Sequence, residues 1–103
     1  MDKDAEAKKI LRLVAEGRFK MAEHTFVRSS ERGISRKQIV HCAEAYIYHK
    51  WQDTKGTHLF IGRLDANTTG GFSAVIRDGV IIVTVFRRSL TRWEKKLVKY
   101  KRP

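Results

Sequence analysis

An apolar run that follows a turn signal constrains the fold more than any other feature of this sequence. The run Val80-Ile81-Ile82-Val83 is apolar at every position, and Asp78-Gly79 directly precedes it. Asp-Gly between two apolar segments is the strongest short signal for a β-hairpin. A strand without polar positions is typical of an inner strand that is covered on both faces. We therefore expect residues 72–77 and 80–86 to form adjacent antiparallel strands, with the second strand inside the sheet.

The first half of the chain predicts helices. Apolar residues recur at helical spacing between residues 7 and 14, and Gly17 provides a stop signal. Residues 18–23 are expected to be a brief extended segment, and residues 24–33 a second helix closed by Gly33. Ser35 with Gln38 three residues later matches a capping box, which predicts a third helix over residues 35–45.

Strand signals dominate the second half. Residues 46–51 and 57–64 are rich in aromatic and β-branched residues, and residues 67–71 have the composition of a loop. Thr91 and Glu94 form a second capping-box pattern at the start of a basic C-terminal helix or tail. The order of elements predicts an α+β fold in which N-terminal helices pack on a curved antiparallel sheet of three to four strands. The length of 103 residues fits a single domain over residues 1–103.

The charge of the chain favours polyanionic partners. The net charge is +11, and the segment from Arg87 to Pro103 alone carries +7. Such an excess favours nucleic acid first and acidic proteins second. Trp93 and Tyr100 stand among the basic residues of this segment, and aromatic rings can stack on bases while cations hold the backbone. A solvated basic helix is the alternative for this segment.

Several classes of protein are disfavoured by the composition. Cys42 is the only cysteine, so no disulfide can form within the chain, and a reducing compartment is expected. The four histidines have none of the common metal-site spacings, so we expect no metal and no other cofactor. The polar N-terminus is unlike a signal peptide. The longest apolar run is far shorter than the about 20 residues that cross a bilayer, so we expect a cytoplasmic protein without membrane contact.

A stripe of three residues carries the strongest chemical signal. His24, Arg28 and Arg32 stand at four-residue spacing, so in a helix they line one face. Imidazole can both take and give a proton near neutral pH, and guanidinium binds phosphate oxygens in pairs. A proton carrier beside two phosphate ligands is what metal-free cleavage of a phosphodiester requires. A solvated basic helix face is the alternative interpretation of the same stripe.

Further candidate residues follow from the same chemistry. His41 is a candidate second proton carrier on the third helix, and Thr84 is a candidate on the last strand. His41 is alternatively an ordinary polar position, as are His49 and His58. The residues expected to contact nucleic acid are basic or aromatic and lie mostly near the C-terminus: Arg63, Arg87, Arg88, Arg92, Trp93, Lys95, Lys96 and Lys99.

The run from His24 to Ser35 resembles a known family. Its pattern of His24, Arg28 and the junction Arg32-Gly33-Ile34-Ser35, together with the strand ending Val83-Thr84-Val85-Phe86, is similar to domain-of-unknown-function family 4258. These small bacterial domains are related in outline to BrnT- and RelE-like toxins. The resemblance covers a core of residues 23–88, with residues 1–22 as an N-terminal helical extension and residues 89–103 as a basic C-terminal helix or tail.

The resemblance implies a RelE-like or barnase-like fold and a metal-independent endoribonuclease of a toxin–antitoxin system, with RNA and an acidic antitoxin or regulatory protein as partners. Three functional hypotheses therefore stand after the sequence. The first is a toxin-related ribonuclease, the second is a non-enzymatic module that binds nucleic acid or regulates, and the third is an adaptor for an acidic protein.

Overall fold

Four helices and five strands make up the part of the chain that the computed structural model describes, which is residues 2–101, with the backbone alone at residues 98–101. In chain order the elements are α1 (Lys3–Ala15), β1 (Phe19–Met21), α2 (Glu23–Glu31), α3 (Arg36–Glu44), β2 (Tyr46–Gln52), β3 (Thr57–Arg63), β4 (Thr69–Ile76), β5 (Val80–Arg87) and α4 (Arg92–Lys101). The strands form one open sheet in the order β1-β5-β4-β3-β2. The predicted α+β class is therefore confirmed.

The sheet differs from the prediction in one strand. It has five strands rather than three or four, and it is mixed rather than purely antiparallel, because β1 pairs parallel to β5. In this pairing Phe19 lies opposite Val80, and Met21 lies opposite Ile82. A segment of three residues is too short to show the alternation by which strands are recognised, so the sequence indicated only an extended segment here.

The predicted hairpin between β4 and β5 is confirmed. Ile76 pairs with Val80, and Asp78 and Gly79 both have positive φ, at 50° and 106°. As expected, β5 lies inside the sheet, between β1 and β4. The prediction that both faces of β5 are covered is wrong: residues toward the helices are buried, whereas Thr84 on the other face is exposed. Because β5 has apolar residues on this second face as well, its sequence does not show which face is buried.

A second difference from the prediction concerns the glycine pair Gly70-Gly71. Residues 69–71 were expected in a loop, but they form the start of β4. A Cβ atom at Gly70 would collide with the carbonyl oxygen of Phe86, and one at Gly71 would collide with the carbonyl oxygen of Phe60. Glycine at these positions therefore marks close approach of neighbouring strands, not the end of a strand.

The hydrophobic core lies between the sheet and the helices α1 and α3. Ile10 of α1 and Ile39 of α3 are fully buried against the sheet, where the rings of Phe60 and Phe72 stack with centroids 5.1 Å apart. Each such aliphatic side chain stabilises the fold by roughly 1.5–3 kcal/mol. Helix α1 therefore belongs to the main core, although it precedes the segment that resembles the family.

Local signals fix the ends of these helices. The capping box predicted at Ser35 and Gln38 is confirmed, because the Ser35 hydroxyl accepts from the Gln38 amide and the Gln38 side chain accepts from the Ser35 amide. Gly17 follows α1 with φ at 76°, as expected of a residue that ends a helix. No helix in residues 2–101 is both long enough and apolar enough to cross a membrane.

In the part of the chain that the structure describes, helix α4 lies against the second face of the sheet, where it contacts β2. The ring of Trp93 meets the ring of Tyr48 edge to face at 5.0 Å. Thr91 and Glu94 form the predicted capping box at the start of α4. Register places Tyr48 on the same face as Leu59, because Tyr48 pairs with Ile61, two residues further along β3. We call this side of the sheet the open face.

Candidate functional site

Helix α2 presents small polar residues to the rest of the protein. Thr25 and Ser29 are its buried residues, and the Ser29 hydroxyl donates to the carbonyl of Phe26 within the helix at 2.9 Å. The helix ends before Gly33, which has φ at 66°, and the amide of Ile34 donates back to the carbonyl of Ser29 at 2.8 Å. Because its inner side chains are short, α2 can lie close to the backbone of a neighbouring strand.

That strand is β5, and α2 lies along the edge of β5 that faces away from β4. Strand β1 pairs with β5 only as far as Ile82. Beyond that point the Thr25 hydroxyl donates to the carbonyl of Val83, and Nη1 of Arg32 donates to the carbonyl of Val85 at 2.8 Å. Carbonyl groups at a strand edge need such partners when they are removed from water. The side chains of Thr25 in α2 and of Arg32, the residue after α2, therefore take the place of a longer β1.

Strand β5 is irregular at the same point. Ser73 of β4 pairs with Thr84, but the next residue, Ala74, pairs with Ile82, so Val83 has no opposite residue. Such β-bulges redirect side chains and are frequent beside functional sites. Here the bulge lies beside Thr84, whose side chain is exposed.

A cleft of about 110 Å³ forms between α2 and β5. Its lining consists of His24, Thr25, Arg28, Arg32, Val83, Thr84 and Val85. The structure therefore brings together four of the five candidate catalytic residues, namely His24, Arg28, Arg32 and Thr84. We call this feature the α2–β5 cleft.

The charged groups of the α2–β5 cleft are available to a ligand. In the described part of the chain, His24 and Arg28 are exposed and make no hydrogen bond or ion pair. Arg32 donates to a carbonyl, which is neutral, so its positive charge is not compensated there. Glu23 and Glu31 share a shallow depression with His24 and Arg28, but they do not line the cleft. Among the described residues, the ionisable side chains that line the cleft are therefore one imidazole and two guanidiniums.

A larger groove of about 540 Å³ runs over the open face. Its lining residues come from β2, β3, β4, β5 and the turn after β2: Gln52, Lys55, Thr57, Leu59, Ser73, Val83, Thr84 and Phe86. Val83 and Thr84 line both this open-face groove and the α2–β5 cleft, so the two concavities adjoin.

Most residues of the open-face groove were missed from the sequence. Gln52, Thr57, Leu59 and Ser73 are common residue types that stand in no motif, and Phe86 entered only as the last residue of the strand that resembles the family. The signal that could have found them is strand alternation combined with register: Ser73 pairs with Thr84, and Leu59 pairs with Ser73. Register across non-adjacent segments is not readable from a single sequence.

His41 does not join the α2–β5 cleft. It is exposed on α3 and lines a separate depression with Leu64 and Asp65. The hydrogen bond from the amide of Asn67, and then the one that Nε2 of Gln38 donates at 2.9 Å, lower the pKa of the Asp65 carboxyl. The structure therefore leaves His24 as the one histidine among the described residues that line the cleft.

Three candidate nucleic-acid contacts lie near the ends of β3 and β5. Arg63 is half-buried at the last position of β3. Arg87 donates to the carbonyl of Gly33 at 2.8 Å, which ties β5 to the end of α2. Arg88 binds both carboxylate oxygens of Glu94 at 2.7 Å. Arg87 and Arg88 thus have structural partners within the protein.

The pair of Arg88 and Glu94 is strongly coupled. Glu94 is 4% exposed, and hydrogen bonds from Arg88 lower the pKa of its carboxyl to about 2. The same bonds raise the pKa of Arg88. Such a two-pronged bond fixes geometry as well as charge, so it anchors the start of α4 to the end of β5.

Helix α4 holds the remaining candidates. Arg92, Trp93, Lys95 and Lys96 are exposed, and Trp93 is 54% exposed despite its contact with Tyr48. The side chain of Lys99 lies outside the described residues. Since α4 lies on the open face, its exposed cations stand on the same side of the sheet as the open-face groove.

Comparisons with known proteins add no family or relative. No family model, no curated protein and no solved structure matches this chain. The resemblance to family 4258 therefore stays a prediction. Within residues 2–101 no group of three or more His, Cys, Asp or Glu side chains is placed to hold a metal ion.

Proposed function

We propose that this protein binds RNA along the open-face groove and cleaves it without a metal in the α2–β5 cleft. One observation carries the proposal: His24, Arg28, Arg32 and Thr84, which come from two separate segments of the sequence, line a single cleft. The cleft adjoins a groove that spans four strands. A proton carrier, two guanidiniums and an adjacent surface for the rest of the strand are the parts that the reaction needs.

Binding follows from charge and shape. Arg28 and Arg32 would hold a phosphate group in the cleft, since guanidinium matches phosphate oxygens in geometry as well as charge. The neighbouring nucleotides would lie over the groove, where Phe86 offers a ring and Gln52 offers amide groups to a base. The exposed cations of α4 would add contacts to the backbone. Single-stranded RNA is the favoured ligand because its bases are free to stack.

Cleavage would use the ribose 2′-hydroxyl as the nucleophile. His24 takes the hydroxyl proton while the 2′-oxygen attacks the phosphorus, and the bond to the 5′-oxygen breaks. The 5′-oxygen takes a proton from water, and the products are a 2′,3′-cyclic phosphate and a 5′-hydroxyl. Arg28 and Arg32 would stabilise the negative charge that grows on the phosphorus oxygens.

A non-catalytic RNA-binding module is the second candidate. It is favoured by the position of His41, which lies in a separate depression and so cannot supply a second imidazole to the cleft. General acid and base groups each contribute about a hundredfold to ten-thousandfold to such reactions. With one imidazole in the cleft, either the acid or the base is not a histidine. In the non-catalytic module His24 contacts phosphate and transfers no proton.

We also propose that the protein is related to RelE-like toxins and is controlled by an acidic protein that covers the cleft. The support is the motif resemblance and the exposed side chains of Phe26 and Val27, which lie on α2 beside Arg28. An acidic partner would contact the stripe and these apolar residues together. A small acidic protein encoded beside this one would be the first partner to test.

The decisive experiment measures binding and cleavage of single-stranded RNA by the purified protein in EDTA. We expect salt-dependent binding and products that end in a 2′,3′-cyclic phosphate. Arg28→Gln should lower the slope of log affinity against log salt by about 0.7, the value for one bound phosphate group. Arg12→Gln is the matched control, because Arg12 is exposed on α1 and lies outside both concavities.

The outcomes separate the candidates. Binding with cleavage supports the ribonuclease, and binding without cleavage in EDTA or with added Mg²⁺ supports the non-catalytic module. Equal effects of Arg28→Gln and Arg12→Gln would mean that the cleft is not where phosphate binds.

A further inference from the structure

A hydroxyl at the floor of the open-face groove has no partner in the part of the chain that the structure describes. Ser73 of β4 is 6% exposed, and it lines the groove without making a hydrogen bond in this region. No fully enclosed side-chain oxygen among the described residues lacks a partner, so the Ser73 oxygen stays in contact with the groove. A polar group that has lost most of its water needs a hydrogen-bond partner. The Ser73 hydroxyl is therefore a group that a ligand of the groove can bind.

Thr84 places a second hydroxyl beside the first. Ser73 and Thr84 are opposite residues of β4 and β5, so their side chains lie on the same face with Cβ atoms about 4.5–5.5 Å apart. Thr84 is exposed and likewise makes no hydrogen bond within the described residues. Each hydroxyl can both donate and accept, and so can a hydroxyl of a ligand. We call Ser73 and Thr84 the hydroxyl pair.

The position of the hydroxyl pair decides which part of a nucleotide it meets. Thr84 lines both the α2–β5 cleft and the open-face groove. In a nucleotide the ribose lies between the phosphate group and the base. With a phosphate group in the cleft and a base over the groove, the ribose therefore lies over the hydroxyl pair. Among the described residues that line the groove, Lys55 is the one ionisable side chain, so the groove suits a neutral sugar better than a second phosphate group.

We propose that Ser73 and Thr84 bind a ribose 2′-hydroxyl and make this protein selective for RNA over single-stranded DNA. The inference rests on the proposed binding of RNA in the cleft and the groove. The 2′-hydroxyl before the bound phosphate group is the nucleophile near His24, so the hydroxyl pair holds the 2′-hydroxyl of the nucleotide after it. Phosphate groups are the same in RNA and DNA, so Arg28 and Arg32 cannot provide this selectivity, whereas a group that binds the 2′-hydroxyl can.

The test compares oligouridylate with oligodeoxyuridylate of about eight nucleotides, since these two single strands differ only in the 2′-hydroxyl. Affinity is measured in EDTA with the His24→Ala variant, so that RNA is not cut during the measurement. DNA cannot be cleaved through a 2′-hydroxyl, so equal DNA affinity of wild type and His24→Ala shows that the variant keeps its binding surface. We expect RNA to bind more tightly than DNA by about threefold to tenfold, the value for one neutral hydrogen bond.

Variants made in the His24→Ala chain assign the selectivity to the hydroxyl pair. Ser73→Ala should lower the affinity for RNA by about threefold to tenfold and leave the affinity for DNA unchanged. Thr84→Val keeps the shape, removes the second hydroxyl and should act in the same direction. Ser30→Ala is the matched control, because Ser30 is exposed on α2 and lines neither concavity. The Ser73 hydroxyl bonds to none of the described residues, so Ser73→Ala should keep the midpoint of denaturant unfolding.

The outcomes separate this inference from the proposed function. Equal affinity of the His24→Ala chain for RNA and DNA would overturn the inference alone, because the proposed function is tested by cleavage of RNA by the wild type. Equal losses for RNA and DNA in Ser73→Ala would mean that Ser73 contacts a base, and a lower unfolding midpoint would mean a structural role. Either result would overturn the inference. No binding of either strand would overturn the proposed function and the inference with it.

Discussion

His24 and His58 belong to one short chain, yet their surroundings differ in nearly every respect. His24 is exposed at the start of α2 and has no hydrogen-bond partner in the described part of the chain. His58 is buried between α1 and the sheet, and both of its ring nitrogens have partners. An imidazole with both nitrogens occupied holds parts of the fold together, whereas one with free nitrogens can act on a ligand.

The arginines repeat the contrast. Arg88 binds Glu94 through two hydrogen bonds, while Arg28 is exposed without a partner in the region that the structure describes. Both residues looked alike in the sequence, where each was a candidate for contact with phosphate. The distinction between structural and free cations therefore depends on which acidic group the fold brings near, and Glu94 is brought near by the capping box of α4.

The largest effect expected from this contrast concerns His24. His24→Ala should reduce metal-independent RNA cleavage by about a hundredfold to ten-thousandfold, because it removes the proton carrier from the cleft. Folding and most RNA affinity should be retained, since His24 has no partner among the described residues. The measurement is the initial cleavage rate in EDTA from about pH 5 to pH 9. His41→Ala serves as the control, and equal rates for the two variants would contradict the role of His24.

A smaller effect, on stability, is expected when Arg88 loses its charged partner Glu94. Glu94→Gln should lower the free energy of unfolding by about 2 kcal/mol at neutral pH, because the two hydrogen bonds from Arg88 lose their negatively charged acceptor. The lowered pKa of Glu94 means that its contribution is present above the ordinary value of 4.5 and is lost as the pH falls toward about 2. Wild type and variant should therefore converge in acid. Denaturant unfolding at several pH values measures this.

Glu44→Gln is the matched control for that experiment. Glu44 is exposed at the end of α3, so its substitution should change stability by only a few tenths of a kcal/mol. A difference between wild type and Glu94→Gln that is the same at every pH would mean that the charge of Glu94 does not provide the stability.

The contact between Thr25 of α2 and strand β5 gives a third test of the comparison. Thr25 is 2% exposed and its hydroxyl donates to the carbonyl of Val83. Thr25→Val keeps the shape but removes the donor, so it should cost about 1 kcal/mol of stability. If α2 positions the cleft, RNA cleavage should fall as well, although Thr25 donates only to the protein. Thr54→Val in the exposed turn after β2 is the control and should alter neither quantity.

The sequence predicted those parts of the fold that rest on local chemistry. The Asp78-Gly79 turn, the capping box at Ser35 and the stop at Gly17 each depend on residues within one turn of the chain, and each is confirmed. The strand β1 and the start of β4 were not predicted, because they depend on pairing with distant segments. Gly70 has the residue type of a loop, and only its approach to Phe86 explains it as part of a strand.

The candidate site divides in the same way. The stripe of His24, Arg28 and Arg32 was visible because one helix carries it, and the position of Thr84 beside it depends on α2 lying along β5. The open-face groove was missed because its residues come from four strands. The contact between His58 and Glu6 was missed for the same reason, since the two residues lie 52 positions apart.

The smallest expected effect concerns the cations of α4, which share the open face with the groove but lie outside the cleft. Lys95→Gln together with Lys96→Gln should lower the salt slope of RNA binding by up to about 1.4, or about 0.7 for each phosphate group that is no longer bound, and should leave the cleavage rate at saturating RNA unchanged. Substitution is preferable to deletion of α4, because deletion would remove Glu94 and leave Arg88 without its partner. Lys8→Gln with Lys37→Gln removes the same charge from exposed positions on α1 and α3. If both double variants lower the slope equally, the effect comes from net charge alone, and α4 is a solvated helix like the other exposed surfaces.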